Sequence, residues 1–382
     1  MTKANRLNSV KEYYFSIKLR EVRALIAQGK PIINLGIGSP DLTPPKEVIE
    51  AINNASSQPE NHGYQSYQGV PELRQSIADF YKKYYDVDDL DIHSEILPLM
   101  GSKEGILHIS MAYLNAGDEV LIPNPGYPTY TSVTNLVEAT SVFYDLKEEN
   151  NWFPDFEALE KTNLSKVKIM WVNYPHMPTG AVPTDELFEK LIAFGKNHNI
   201  LIVNDNPYSF VLNDNPKSIL AYKGAKDVAI ELNSLSKTFN MAGWRVGMVL
   251  GNKENIHNIL QVKSNMDSGM YYGIQQGAIA ALKLSNDWFD QMNAVYTDRR
   301  KIVWEICDVL HCVYDKNSVG LFVWAKVPKG KSAIELTDDL LYKKDVFITP
   351  GMIFGSNGDD YIRFSLCVKE DKIKEVLKRI HS

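Results

Sequence analysis

The chain has 382 residues, of which 44% are hydrophobic and 23% are charged, and its formal net charge is −6 at pH 7. This length favours two domains, and this composition is typical of a globular protein rather than a disordered or fibrous one. A negative net charge without a long run of Lys or Arg argues against nucleic acid and anionic membranes as partners, so we expect small-molecule partners.

The N-terminal segment and the cysteines predict a cytoplasmic protein. Residues 1–20 lack the apolar region of a secretory signal, and no stretch of the chain approaches the length of a membrane span. Cys307, Cys312 and Cys367 are odd in number and widely spaced, which fits a reducing compartment. Cys307, His311 and Cys312 lack a second ligand pair at zinc-like spacing, so we expect no metal.

The middle of the chain alternates short apolar runs with amphipathic stretches. The runs include DEVLIP, KVKIMWVNY, ILIVNDN and VAIELNS. Such a pattern predicts an α/β fold with a mostly parallel sheet between helices. Asn173, Asp205 and Lys237 each follow a strand, at intervals of 32 residues, about one βαβ repeat. We therefore expect them at the carboxyl edge of the sheet, where ligands bind in such folds.

From about residue 286 the pattern changes to charged helical stretches that flank the short strands GLFVWAKV and DYIRFSL. This change predicts a smaller α+β domain, with which the N-terminal helix packs. We place a large domain at residues 48–285 and a small domain at residues 1–47 and 286–382.

The stretch NSLSKTFNMAGWRVG puts a lysine between hydroxyl residues at the end of an apolar strand. Ser234, Ser236 and Arg245 are suited to hold a phosphate, which would leave Lys237 free to act as an amine nucleophile. Alone, SLSK also fits a solvated lysine at a strand end. As the S-x-x-K motif of penicillin-binding proteins it would need S-D-N and K-T-G tripeptides, and neither occurs.

Two further stretches complete a set of groups for one cofactor. Gly101, Ser102 and Lys103 stand at the start of a predicted helix, where free N–H groups and the helix dipole favour an anion. Asp205 ends a strand, and Tyr208 follows three residues later. A phosphate cradle, a buried carboxylate and an amine nucleophile are the protein groups that a pyridoxal 5′-phosphate (PLP) enzyme requires.

In these motifs the chain resembles the class I and II aminotransferases of PLP fold type I, from about Tyr13 to Ser365. The motifs occur in the family's order: INLGIGSPDL, HGYQSYQGVPELR, GSKEG, IPNPGYPTY, YPHMPTG, NDNPY, SLSKTFNMAGWRVG, SGM and YIRFSL. GSKEG, PGYP and SNMDSGM are most similar to the branch that contains LL-diaminopimelate aminotransferases. The resemblance implies a PLP-dependent aminotransferase that moves an amino group between an amino acid and a 2-oxo acid by a ping-pong mechanism.

The resemblance also implies roles for residues around the cofactor. Lys237 would bind PLP covalently and shuttle a proton, Asp205 would pair with the ring nitrogen, and Tyr208 would donate to the phenolic oxygen of the ring. Tyr127 would stack on the face of the ring. The phosphate would be held by Gly101, Ser102, Lys103, Ser234, Ser236 and Arg245.

Other matching positions concern the substrate and a partner subunit. Arg363 matches the arginine that binds the substrate carboxylate, and Gly38 would let the backbone approach that carboxylate. Tyr13 or Tyr14 stands where this branch places an aromatic residue near the substrate. Tyr64 matches a residue that reaches the phosphate of the neighbouring subunit, which implies a homodimer with shared active sites.

The loop NYPHMPTGA departs from the family pattern. The residue before Pro-Thr-Gly is usually an asparagine that donates to the phenolic oxygen, whereas Met177 cannot donate. We therefore expect the linkage of Lys237 to PLP to have a higher pKa than in a relative with asparagine, unless Tyr208, Asn173 or a water supplies the missing donor. We expect His176 to be a loop residue without a catalytic role.

Two alternative functions remain open at this point. A β-lyase of fold type I acting on cystathionine or a cysteine conjugate would use the same lysine and phosphate site, but it would release pyruvate and ammonia from one substrate. A regulator of this fold would bind an effector without turnover, but such proteins carry an added DNA-binding segment, and we expect none here. SNMDSGM contains no arginine, which argues against a dedicated aspartate enzyme.

Overall fold

The computed structural model of the chain describes residues 1–9 and 14–382. The α-helices are α1 Tyr14–Ala27, α2 Lys46–Ser56, α3 Pro71–Tyr85, α4 Ser102–Tyr113, α5 Thr129–Leu136, α6 Phe156–Glu160, α7 Asp185–His198, α8 Leu235–Thr238, α9 Lys253–Lys263, α10 Tyr272–Leu282, α11 Asn286–Val309, α12 Ala333–Lys344 and α13 Glu370–His381. The strands are β1 Ile33–Asn34, β2 Ile96–Leu99, β3 Glu119–Asn124, β4 Thr140–Asp145, β5 Val167–Val172, β6 Leu201–Asp205, β7 Ala229–Ser234, β8 Gly247–Leu250, β9 Val313–Tyr314, β10 Phe322–Lys326, β11 Val346–Phe347, β12 Thr349–Pro350 and β13 Tyr361–Ser365.

The central element is a seven-stranded sheet with the strand order β2-β8-β7-β6-β5-β3-β4. Its strands are parallel except β8, which runs antiparallel to both β2 and β7. Helices cover both faces: α2, α3, α7 and α10 contribute to one core, and α4, α5 and α9 contribute to the other. Burial on both faces explains why these strands are continuous apolar runs rather than alternating patterns. The predicted α/β class with a mostly parallel sheet is confirmed.

Local signals in the sequence determine where α7, the helix that follows the NYPHMPTGA loop, begins and ends. Thr184 is the N-cap of α7, and its side-chain oxygen accepts from the Leu187 N–H at 3.1 Å. Asp185 in the first turn favours the positive end of the helix dipole. Asn199 ends the helix with a left-handed φ of 53°. These caps set where the strand–loop–helix unit turns back from the sheet edge.

The C-terminal part forms a second, smaller layer. Strands β12, β13, β10 and β9 make an antiparallel sheet in that order, and α11 and α13 pack together. The N-terminal segment joins this part, since β1 pairs with β11 and Val22 of α1 packs against Leu341 and Phe347. These contacts support the proposed domain boundaries, which stay a prediction. No helix in the described parts of the chain is both long and apolar enough to cross a bilayer.

Candidate active site

A cavity of about 610 Å³ opens at the carboxyl ends of β5, β6 and β7. Because these three strands are parallel neighbours, the residues that follow them meet at one edge, as the spacing of 32 residues predicts. The cavity is lined by eleven of the predicted site residues: Gly38, Ser102, Lys103, Tyr127, Asp205, Tyr208, Ser234, Ser236, Lys237, Arg245 and Arg363.

Lys237 lies in the short helix α8, directly after β7. Ser234 is the N-cap of this helix, and its side chain accepts from the Ser236 N–H at 3.1 Å. The Lys237 Nζ donates to the Gly38 carbonyl at 2.5 Å. Burial lowers the pKa of this amine, and the charges of Arg363 and Arg245 lower it further, against an opposing effect of Cys367. The site therefore favours the neutral, nucleophilic form of the amine.

Asp205 ends β6 and is buried at the floor of the cavity, with 5% of its surface exposed. Its Oδ2 accepts from the Tyr130 hydroxyl at 2.9 Å, whereas its Oδ1 has no hydrogen-bond partner. Burial raises the pKa of this carboxyl to about 7, although the bond from Tyr130 opposes the shift. A buried acceptor without a donor is costly, so the free oxygen marks a place for a ligand N–H.

An anion cup lies between the start of α4 and the turn after α8. The Ser234 and Ser236 hydroxyls are 2.7 Å apart, and both line the cavity. Gly101, the N-cap of α4, has a φ of +92°, and a Cβ built on it would lie 2.0 Å from the Arg245 Nη2. Only glycine therefore allows the guanidinium and the first N–H groups of α4 to approach each other this closely.

Arg363 lies on β13 at the opposite wall and is only 6% exposed. Its Nη2 donates to the Gly36 carbonyl at 2.8 Å, its Nη1 lies 3.4 Å from the Met177 sulfur, and its Nε has no partner. The rings of Phe322 and Phe354 lie 3.9 and 4.6 Å from its Cζ. Burial lowers the pKa of the guanidinium to about 10. A buried cation that retains free N–H groups is suited to bind a carboxylate.

The loop after β5 is held by its own polar groups. The Asn173 amide donates to the Asp205 carbonyl, and its Oδ1 accepts from the Met177 N–H at 2.8 Å. His176 does not line the cavity; its Nδ1 lies 2.8 Å from the Thr179 hydroxyl, and burial lowers its pKa to about 3. Met177 itself faces the cavity. The loop thus presents a thioether to the site and keeps its histidine neutral and outside it.

The remaining predicted residues lie elsewhere. Tyr64 is 94% exposed and does not line the cavity. Tyr13 lies outside the described residues, and the next residues that line the cavity from this end are Phe15 and Ser16 of α1. Gly38 has a further reason to be glycine, because a Cβ there would lie 2.3 Å from the Phe322 ring.

Sequence reasoning missed Tyr130, Phe322 and Phe354. Tyr130 stacks on Trp171, with ring centroids 4.9 Å apart, and its hydroxyl reaches Asp205. Its position three residues after Tyr127 in PGYPTY was a usable signal, because a turn that closes over three residues, with the Tyr130 N–H donating to the Tyr127 carbonyl at 3.1 Å, brings the two ring centroids to 5.6 Å from each other. The two phenylalanines gave no such signal, since pairing with Arg363 depends on contacts between distant segments.

Within the described parts of the chain, one group of possible metal ligands lies outside the cavity lining. Ligand atoms of Glu104, His108 and Asp267 lie within 4.8 Å of one another. The His108 Nε2 lies 2.9 Å from Glu104, and the Lys263 Nζ lies 2.7 Å from Asp267. The ammonium of Lys263 already pairs with Asp267, so this carboxylate is not free to bind a metal ion.

The chain belongs to the class I and II aminotransferase family, whose model matches residues 30–380. It is 41% identical over 379 residues to the LL-diaminopimelate aminotransferase of Aquifex aeolicus, covering 99% of this chain and 98% of that protein. It is also 41% identical over 380 residues to the LL-diaminopimelate aminotransferase of Maridesulfovibrio salexigens, with 99% and 98% covered.

Solved structures agree with this assignment. The apo structure of BacF from Bacillus subtilis matches with a TM-score of 0.95 at 36% identity, covering 100% of this chain and 98% of that one. An aminotransferase from Staphylococcus aureus matches with a TM-score of 0.89 at 31% identity, covering 99% and 98%. The predicted fold type I and the predicted aminotransferase activity are confirmed, and the β-lyase alternative is not favoured.

Proposed function

We propose that the cavity binds PLP and that the chain uses it to exchange an amino group between an amino acid and a 2-oxo acid by a ping-pong mechanism. One observation carries this proposal: the free Oδ1 of Asp205 and the amine of Lys237 face the same cavity. When bound, PLP supplies an aldehyde that combines with amines and a ring that accepts electrons.

The residues present fit this cofactor. Asp205 offers its unpaired oxygen to the ring nitrogen, and Tyr127 and Tyr208 line the walls beside it. The two hydroxyls of the anion cup and the fork of Arg245 suit the phosphate. The residues that we propose to hold the cofactor are Gly101, Ser102, Lys103, Tyr127, Asp205, Tyr208, Ser234, Ser236, Lys237 and Arg245.

Lys237 is the proposed proton carrier. Its Nζ would take a proton from the substrate Cα and return a proton later in the half-reaction, which requires a pKa near neutrality. Burial and the charges of Arg363 and Arg245 lower the pKa of this amine in that direction. The Gly38 carbonyl accepts from Nζ, so it holds the amine close to the cavity wall between these two transfers.

Arg363 and Gly38 form the proposed site for the substrate carboxylate. The rings of Phe322 and Phe354 fix the plane of the guanidinium, so its free N–H groups keep one direction. A carboxylate that binds there would accept charge-assisted hydrogen bonds from the buried guanidinium of Arg363. Tyr13, which lies outside the described residues, stays a proposed neighbour of the substrate.

We also propose a homodimer in which Tyr64 reaches the phosphate of the partner subunit. The residue carries a large apolar ring that is 94% exposed, and two further apolar side chains, Tyr67 and Met266, are 45% and 56% exposed. Exposed aromatic and methionine side chains are enriched at protein interfaces. A cytoplasmic location is part of the same proposal, and the three buried free cysteines are consistent with it.

LL-diaminopimelate is the first substrate to test, because the curated relatives carry its name. Purified protein is incubated with each ¹⁵N-labelled amino acid and a panel of 2-oxo acids, and mass spectrometry follows the label. We expect labelled product only when both substrates are present. Pyruvate and ammonia from one substrate alone, or no transfer with any pair, would contradict the proposal.

A further inference from the structure

Glu231 is a carboxylate with no exposed surface in the middle of β7. Its Oε1 accepts from the Tyr81 hydroxyl at 2.9 Å. Its Oε2 accepts from the Asn204 Nδ2 and from the Ile219 N–H, both at 3.1 Å. The mechanism proposed above gives this residue no task.

The hydrogen bonds around Glu231 fit the ionised carboxylate. The Tyr81 oxygen accepts from the Asn233 Nδ2 at 3.1 Å, so the tyrosine proton is directed at Glu231. Burial raises the pKa of Glu231, and its donors, which include Ser218, lower it. Among the described residues no lysine or arginine forms an ion pair with Glu231, whose hydrogen bonds come from neutral donors. Burying an anion that has only neutral donors costs folding free energy. A function of the charge would explain why the fold contains it.

Glu231 lies beside the floor of the cofactor site but on the other face of the sheet. The register pairs Asn204 with Glu231 and Asp205 with Leu232. Because side chains alternate between the faces of a sheet, the Asp205 carboxylate points to the cavity and the Glu231 carboxylate points to the opposite core. The backbone of two buried strands separates the charges, and solvent screens them only weakly, because Glu231 has no exposed surface and Asp205 is 5% exposed.

We propose that Glu231 is a positioning residue that acts through Asp205: its negative charge behind the sheet holds the proton that Asp205 shares with the ring nitrogen of the cofactor. This inference rests on the proposed binding of PLP. The fixed charge makes a second unpaired negative charge on Asp205 unfavourable and favours a proton at its free oxygen.

The other groups around the pair do not replace this charge. Tyr130 and Tyr208 face Asp205 from α5 and from the loop after β6, and Tyr81 and Tyr85 face Glu231 from α3. All four are phenols that burial keeps neutral, since it raises their pKa. Burial raises the pKa of Asp205, and the charge of Glu231 adds to this effect while Tyr130 opposes it.

The test is a pH titration of the full chain reconstituted with PLP that carries ¹⁵N in its ring. The nitrogen signal reports directly whether the ring is protonated, whatever the turnover. In Glu231→Gln, which removes the charge and keeps the shape, we expect the pH at which the ring loses its proton to fall by about one unit. An unchanged midpoint would overturn the proposal.

Tyr81→Phe is the matched control. It removes one donor from the same buried network but leaves the carboxylate and its remaining donors in place. We expect a loss of thermal stability with the midpoint at the wild-type value. A fall in Tyr81→Phe equal to that in Glu231→Gln would assign the effect to packing and overturn the role of the charge.

An infrared measurement on the wild-type protein covers the case in which Glu231→Gln does not fold. Protein with ¹³C-labelled glutamate carboxyls should show no protonated, buried carboxylic acid between pH 6 and 9 that is assignable to Glu231, and such a band would contradict the proposal. Failure of the proposed function would look different, because the wild type would then show only the ¹⁵N signal of free PLP.

Discussion

Arg363 shows at the scale of one residue how burial and incomplete pairing prepare a side chain for a ligand. Two rings cover the faces of its guanidinium, one carbonyl takes an N–H, and the sulfur of Met177 is the neighbour on the remaining side. Sulfur is a weak acceptor, so the arginine keeps most of its capacity for a carboxylate. The same thioether is also the clearest departure from the family's loop sequence.

Met177 leads to the first prediction. The Asn173 amide is engaged by the Asp205 carbonyl and the Met177 N–H, which weakens it as a replacement donor to the cofactor. Met177→Asn adds a donor, so we expect the pH midpoint of the visible absorbance of the PLP-loaded enzyme to fall. Met177→Leu, which has no donor either, should keep the wild-type midpoint. An unchanged or raised midpoint in Met177→Asn would contradict the expectation.

Asp205 makes the stability of the cofactor-free protein depend on pH. Its pKa is raised from 3.8 to about 7 by burial, so the folded state binds more protons than the unfolded state between these values. The free energy of unfolding should therefore decrease by on the order of 2–4 kcal/mol as the pH rises from 4 to 8 through this group. Asp205→Asn should remove that part of the decrease in urea unfolding curves. Equal pH profiles of wild type and variant would contradict the shift.

At the scale of single residues, the sequence predicted those site residues that belong to a short motif. Lys237, Asp205, Ser234, Ser236 and Arg245 fall within short motifs, and all of them line the cavity. Tyr130 and Glu231 were not predicted, because their importance depends on contacts across the sheet. Tyr130 and Asp205 are 75 positions apart, and Tyr81 and Glu231 are 150 apart. No local pattern reports such pairs.

At the scale of elements, the parallel strands β5, β6 and β7 explain why a regular spacing in the sequence becomes one site in space. Each βαβ unit returns the chain to the same edge, so residues after successive strands meet there. The antiparallel direction of β8 and the pairing of β1 with β11 were not predicted. Both depend on partners that lie far away in the chain, and β1 has only two residues.

The junction of β2 and α4 gives an element-scale prediction. Gly101→Ala places a methyl group against the Arg245 guanidinium and also strains a φ of +92°. We expect the affinity for PLP to fall at least about tenfold, because the arginine and the helix terminus can no longer converge on the phosphate.

Gly117→Ala is the matched control for that change. Gly117 has a φ of +88°, and a Cβ there would meet nothing within 4 Å. Both variants should lose about 1 kcal/mol of stability from backbone strain. Only Gly101→Ala should lose cofactor affinity, measured by fluorescence titration. Equal losses of affinity in the two variants would remove Gly101 from the site.

At the scale of the whole molecule, the proposed homodimer predicts that two chains share each site. Tyr64 is 94% exposed in the single chain. In the proposed dimer its side chain would reach the phosphate that is bound by the partner subunit. Lys237→Ala and Tyr64→Phe should each be impaired alone. A tagged hybrid dimer of the two variants contains one site with an intact lysine and the partner's intact tyrosine, so it should regain about half of the activity of a wild-type dimer. Purified hybrids without recovery would contradict the sharing of sites.

The central claim is that Lys237 in this cavity carries the amino-group transfer, and one turnover tests it most directly. Enzyme loaded with PLP is mixed with one amino acid in the absence of any oxo acid, and the products are counted per site by mass spectrometry. The account predicts one equivalent of oxo acid per site and no free ammonia for the wild type, and none for Lys237→Ala. Continued release of pyruvate and ammonia, or an equal burst from Lys237→Ala, would contradict it.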